Sequence, residues 1–343
     1  MQNLLKTLLN PKIYALAVTV ILLLFGITLW PERQVVREHN ANSRHEFIGN
    51  GILSPLPENV VENAPLVALG AKLFSDKRLS RDESMACESC HLLDNAGVDG
   101  LENSVGIRGQ IGTINAPTVF NASLNFRQFW DGRASSLEDQ AAGPVQNPIE
   151  MGFTWSELVD RLKLDQDYKN LFSAQFPDGV TAKNIRMAIA AFEETLITPG
   201  APFDRFLRGE ANALTPTAKA GYQLFLDYGC VACHQGRNIG GSMYEKLGIV
   251  KPYYDESRKP KPQDLGRFNL TGDPEHKYEF KVPSLRNVAK TAPYFHDGSI
   301  ATLEEAVRLM GAYQLGIDFS SQEVTQLVAF LNSLTGNYKG KPL

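Results

Sequence analysis

Two runs, Cys87-Glu88-Ser89-Cys90-His91 and Cys230-Val231-Ala232-Cys233-His234, constrain this chain more than anything else in it. Each is a C-x-x-C-H run, the spacing that attaches a c-type haem. The two thiols become thioethers on the haem, and the adjacent histidine supplies one axial nitrogen to the iron. All 4 cysteines of the 343 residues lie in these runs, so none is left for a disulfide. A redox C-x-x-C does not need the trailing histidine, and a zinc site needs further Cys or His ligands close by. The chain must therefore close around two covalently attached haem c groups.

Residues 13–30 are apolar and uncharged, and they come close to spanning a bilayer core as a helix. Leu29-Trp30-Pro31-Glu32 is a poor cleavage site, which favours a retained anchor over a cleaved signal. Lys6 and Lys12 favour a cytoplasmic N-terminal side, a bias weakened by Arg33, Arg37 and Arg44 on the other side. Residues 1–34 thus read as a membrane anchor or signal segment and 35–60 as a polar tether. The remainder is exported to the periplasm and held at the inner membrane. A net charge of −4 gives no basic footprint, so nucleic acid is not an expected partner.

The exported part reads as one unit used twice, over 61–205 and 206–343. Leu69-Gly70-Ala71-Lys72-Leu73-Phe74 precedes the first haem run and Ala220-Gly221-Tyr222-Gln223-Leu224-Phe225 the second, both on helical periodicity. Thr215-Pro216 supplies an N-cap and a first-turn proline to the latter. Each half closes with a helix, Thr181 to Thr195 and Ser321 to Leu334. Between them, Pro117, Asn121, Asp131-Gly132 and Leu137-Glu138 match Pro283, Asn287, Asp297-Gly298 and Leu303-Glu304 at a constant offset of 166. Such regularity points to duplication. The expected fold is all-α, two class I cytochrome c-like domains behind an N-terminal transmembrane helix, with no sheet.

The duplication allows one half to be read against the other. Met310 lies just before the closing helix of the second half, where a class I cytochrome places its axial methionine. His234 and Met310 would saturate that iron and raise its potential. Met243 is a poor rival for the position and His296 a stronger one. The same offset sets Pro144 opposite Met310, and proline cannot ligate iron. Met151 is nearby but breaks the register. The first haem is therefore expected to keep an open distal face. Glu150 and Gln140 flank Pro144 in sequence; a carboxylate there can move a proton between the two oxygens of a peroxide, and an amide can donate a hydrogen bond. Trp130 stands where His296 stands in the second half, and a tryptophan between two haems can carry electrons.

Together these residues resemble the bacterial dihaem cytochrome c peroxidases. The likeness extends over Gly97-Val98-Asp99-Gly100, Asn115-Ala116-Pro117-Thr118, Phe129-Trp130-Asp131-Gly132-Arg133, Pro144 to Met151, Phe280 to Asn287 and Pro293 to Gly298. It implies reduction of hydrogen peroxide to water, with electrons from a small cytochrome c or cupredoxin. It implies that His91 holds the peroxidatic haem, that Glu150 and Gln140 are its distal residues, and that His234 and Met310 hold the electron-entry haem. It further implies Trp130 between the haems, a homodimer, and calcium held by the Asn115 side chain and the carbonyls of Thr291 and Pro293. One position departs from the pattern. Many members carry a capping histidine where this chain has Ile107, and isoleucine cannot ligate. No reductive activation is expected in consequence. Two other readings compete: a methylamine-utilisation-type dihaem enzyme that oxidises a partner protein, which uses tyrosine where this chain has Met310, and a dihaem electron-transfer cytochrome.

Overall fold

The computed structural model describes residues 51–58 and 63–343, all within one compact unit, Phe47–Leu343. The expected anchor, 1–34, and most of the expected tether lie outside the described residues. Among the described residues no helix is long and apolar enough to cross a membrane.

The first half contains α1 (Ala64–Phe74), short α2 (Leu137–Gln140) and α3 (Ala142–Gln146), then α4 (Trp155–Leu164), α5 (Gln166–Gln175) and α6 (Ala182–Glu194). After α7 (Pro202–Leu207), the second half contains α8 (Pro216–Asp227), short α9 (Phe268–Thr271), α10 (Leu303–Met310) and α11 (Ser321–Asn332). Local chemistry starts these helices. Asn63 caps α1, Thr181 caps α6, and the Thr215 side chain accepts from Ala218 N ahead of Pro216. The closing helices fall within a few residues of the sequence expectation.

In each half the helix before the haem run packs on the closing helix, α1 on α6 and α8 on α11. Glycine makes both crossings possible. A Cβ on Gly70 would lie 1.9 Å from the Ala188 carbonyl oxygen, and one on Gly221 would lie 1.8 Å from that of Gln326. Two cores result, one around Leu73, Phe120, Leu158 and Ile185, the other around Phe203, Phe225, Leu327 and Phe330.

Two features differ from expectation. The chain does form strands, although tiny ones: β1 (Tyr244–Lys246) pairs antiparallel with β2 (Glu279–Lys281), and β3 (Asn337–Tyr338) with β4 (Lys341–Pro342). Runs of two and three residues are too short to show a period of two in sequence. Second, residues 51–58 are packed down. Leu53 and Leu56 are buried, Gly236 N donates to Ile52 O at 2.7 Å, and Leu56 N donates to Asp204 Oδ1 at 3.2 Å.

Candidate functional site

Two cavities open inside this frame, and each has one C-x-x-C-H run in its wall. The first, of about 400 Å³, is lined by Cys87, Cys90 and His91 together with Gln140, Pro144 and Glu150. The second, of about 290 Å³, is lined by Cys230, Cys233, His234 and Met310. Met243 is not in its wall. His296 is, but its Nε2 lies 2.8 Å from Asp264 Oδ1, so that nitrogen is already engaged.

The linings fit a flat apolar group with a metal at its centre. Both histidines line their cavities and are half-buried. Desolvation lowers the pKa of His91 and pushes that of His234 down to about 4, so both rings are neutral, as metal ligands must be. His91 Nδ1 lies 3.3 Å from the Gly97 carbonyl, an arrangement that leaves Nε2 for the cavity. Enclosure pushes the Cys87 thiol up to about 12 and that of Cys230 up to about 11, opposite to the lowered range of redox-active thiols.

Glu150 is presented by the tight turn Asn147–Gly152. The Asn147 carbonyl accepts from the backbone N–H groups of Glu150, Met151 and Gly152, at 3.1, 3.2 and 2.8 Å. The Asn147 side chain closes the turn, with Nδ2 donating to Glu150 Oε1 at 2.6 Å. Burial is the largest influence on the Glu150 carboxyl and raises its pKa; the Asn147 hydrogen bond and the charge of Arg133 oppose the rise. Sequence reasoning missed Asn147, whose signal was its place three residues before Glu150, ahead of Pro148. Gln140 ends α2, which Ser136 caps by accepting from Asp139 N at 3.1 Å. Met151 also reaches the first cavity, but it is 4% exposed and belongs to the first core.

Ile107 does not line the cavity; Ser104, Gly106 and Gly112 do. Its side chain is buried against Gly152, where an added Cβ would lie 2.4 Å from Ile107 Cδ1. The loop is fixed there by Ile107 N donating to Glu150 O at 3.0 Å.

Trp130 lies in the walls of both cavities, as do Asn115 and Phe280. Its Nε1 donates to the Asn115 carbonyl at 3.0 Å, and its carbonyl accepts from Lys281 N on β2 at 2.7 Å. Its ring stands edge-on to His296 at 6.4 Å. The expected calcium residues Asn115, Thr291 and Pro293 share the wall of the second cavity. Among the described residues, Asp264, His296 and Asp297 bring ligand atoms within 4.8 Å of one another, and none of these is an expected calcium residue.

A mostly helical fold with a C-x-x-C-H run in the wall of each of two cavities defines a dihaem c-type cytochrome. Residues 64–212 match the family model for di-haem cytochrome c peroxidase, and residues 218–335 match that for cytochrome c. The chain belongs to the di-haem cytochrome c peroxidase family. It is 46% identical over 313 residues to the cytochrome c peroxidase Ccp of Escherichia coli, covering 91% of this chain and 67% of that one. It is 47% identical over 290 residues to the cytochrome c551 peroxidase of Nitrosomonas europaea, covering 84% and 85%. Relatives named methylamine utilization protein MauG stand further off, at 33% and 34% identity. A solved structure of a MauG-like protein associated with microbial copper homeostasis aligns with a TM-score of 0.72 at 31% identity, covering 82% of this chain and 93% of that one.

Proposed function

We propose that this protein reduces hydrogen peroxide to water in the first cavity, using electrons that enter through the second. The observation that carries the reading is the difference between the linings. One cavity sets Met310 in the same wall as its histidine, and the other sets Pro144, Gln140 and Glu150 there. In this reading Cys87, Cys90 and His91 would hold one haem, and Cys230, Cys233, His234 and Met310 the other. Bound haem would supply the redox-active iron that passes electrons on to peroxide.

The residues of the chain do the rest. Asn147 occupies Glu150 Oε1, which leaves Oε2 as the basic atom. That atom takes the proton from one peroxide oxygen and returns it to the other, so that the departing fragment leaves as water. Gln140 donates a hydrogen bond that orients the peroxide. Trp130, common to both walls, is the electron route between the sites. Because Ile107 cannot ligate and its side chain packs against Gly152, the first site needs no reduction before it admits peroxide. Asn115 Nδ2 is used by the carbonyls of Leu101 and Glu102, at 2.9 and 3.3 Å, which leaves Oδ1 as the oxygen for calcium beside the carbonyls of Thr291 and Pro293. The donor is a small periplasmic cytochrome c or cupredoxin.

The two halves, 61–205 and 206–343, are read as products of one duplication. Asn121 and Asn287 both have φ of 60°, and Phe129 and Phe295 have φ of 67° and 70°, each pair 166 residues apart. The bridges Gln128–Ala134 and Tyr294–Ile300 repeat at the same offset. The function is tested by steady-state peroxide consumption with the purified holoprotein and a reduced small c-type cytochrome. Peroxide-dependent oxidation of the donor is expected, and its absence removes the proposal.

A further inference from the structure

Glu193 is a buried acid that the peroxide chemistry does not use. It ends α6, is 5% exposed, and lies in the wall of the first cavity. Its Oε2 has no hydrogen-bond partner among the described residues. On the helices packed against α6, Glu138, Asp139, Glu157, Asp160 and Arg161 do not act on it; burial alone raises its pKa, to about 8. Lys72 of α1 lies over the Tyr168 ring at 4.7 Å, Arg186 lies over Trp155 at 5.9 Å, and Arg133 acts on Glu150 instead. Cys87 is the group that feels the Glu193 charge, and haem attachment converts that thiol to a thioether.

The second half supplies an internal comparison. α6 presents Ile189 and Glu193 to the first cavity, and α11 presents Leu327 and Leu331 to the second. The crossings match, since Ala188 meets Gly70 and Gln326 meets Gly221, one residue before Ile189 and Leu327 respectively. Leu331 therefore holds, beside the second cavity, the place Glu193 holds beside the first. Leucine satisfies the packing there, and burying an unpaired carboxyl is costly. Packing does not account for the acid.

We infer that Glu193 is the proton-exchanging group of the peroxidatic site, so that an electron entering that site is accompanied by a proton taken up at the Glu193 carboxylate. The inference rests on the reading that the first cavity holds the peroxidatic haem. The electron comes from the redox donor through the second site and the proton from solvent. The site gains one of each, and its net charge is unchanged in surroundings where an uncompensated charge is expensive. The sign follows from electrostatics. The oxidised site carries one more positive charge, which favours the carboxylate; reduction removes that charge and the proton follows.

The test is a potentiometric titration of the first haem in the holoprotein, followed by visible absorption as pH is raised through 8. The potential should fall by about 59 mV per pH unit over part of the range, the slope for one proton per electron. Glu193→Gln and Glu193→Leu should flatten that slope, whereas Glu150→Gln should retain it. Leucine is the residue the second half itself uses, so packing is preserved in that variant. A slope absent from the unmodified protein, retained in both Glu193 variants, or lost only in Glu150→Gln overturns the inference. Mass spectrometry for two covalent haems per chain is read alongside; a protein lacking the first haem would remove the underlying site reading instead.

Discussion

At Glu150 the proposed acid–base group and its support come from a single turn. Asn147 accepts three backbone hydrogen bonds and donates one to the carboxylate, so the acid is fixed in place and its basicity is moderated at once. Replacing Glu150 with Gln should lower kcat for peroxide by about 10²–10⁴-fold, the usual contribution of a positioned acid–base group. Peroxide binding, read from the haem spectrum, should survive. The pH profile carries a signed prediction. Glu150 must be ionised to accept a proton, and burial raises its pKa, so activity should fall on acidification at a higher pH than for an exposed glutamate. The Asn147 hydrogen bond lowers that pKa, and removing it in Asn147→Ala should move the acid limb of kcat/KM to higher pH. A limb that stays put would mean that the 2.6 Å contact does not influence the base. The place of Glu150 in the same wall as Pro144 agrees with their nearness in sequence. Asn147 was not legible in sequence, because an asparagine before proline reads as any turn.

Among the elements, the helix crossings decide where each haem run stands. Gly70 and Gly221 let α1 and α8 approach α6 and α11 closely enough for carbonyl oxygens to sit against bare Cα atoms. Gly70→Ala places a Cβ 1.9 Å from a backbone oxygen that cannot rotate away. The helices must separate, at a cost of about 1–3 kcal/mol or more for overpacking. A lowered midpoint of denaturant unfolding is expected, with the first haem environment perturbed before the second. The helices themselves were legible because caps and periodicity agree, as at Thr215-Pro216. The strands β1 and β2 were not. They exist because Glu245 and Phe280 happen to face each other across the chain, a tertiary fact with no local pattern. Leu53 and Leu56 hid in a polar-looking tether for the same reason: two leucines carry no period.

Over the whole molecule many contacts join the halves, and two of them carry predictions. Thr198 Oγ1 accepts from Asn121 Nδ2 at 2.8 Å and from Asn287 Nδ2 at 3.0 Å, and all three residues are almost completely buried. Thr198→Val removes the shared acceptor and strands two amide groups, each worth about 1–3 kcal/mol when left unsatisfied. Thermal unfolding of the holoprotein should report a lower midpoint; an unchanged one would show that the amides find other partners. The second junction is Trp130, in the wall of both cavities. Trp130→Phe should slow electron passage from the second haem to the first in stopped-flow mixing, while leaving peroxide binding intact. The two-site plan was legible because each cavity has its own C-x-x-C-H run. Its asymmetry was only half legible, since Glu193 becomes informative once Leu331 is seen in the matching place.

Peroxide reduction at the first site without prior activation requires that site to be open on the side of Glu150 before any electron arrives. Electron paramagnetic resonance of the fully oxidised holoprotein tests this most directly. A high-spin signal from the first haem, beside a low-spin His/Met signal from the second, is the predicted result. A six-coordinate low-spin bis-histidine signal at the first haem would contradict it.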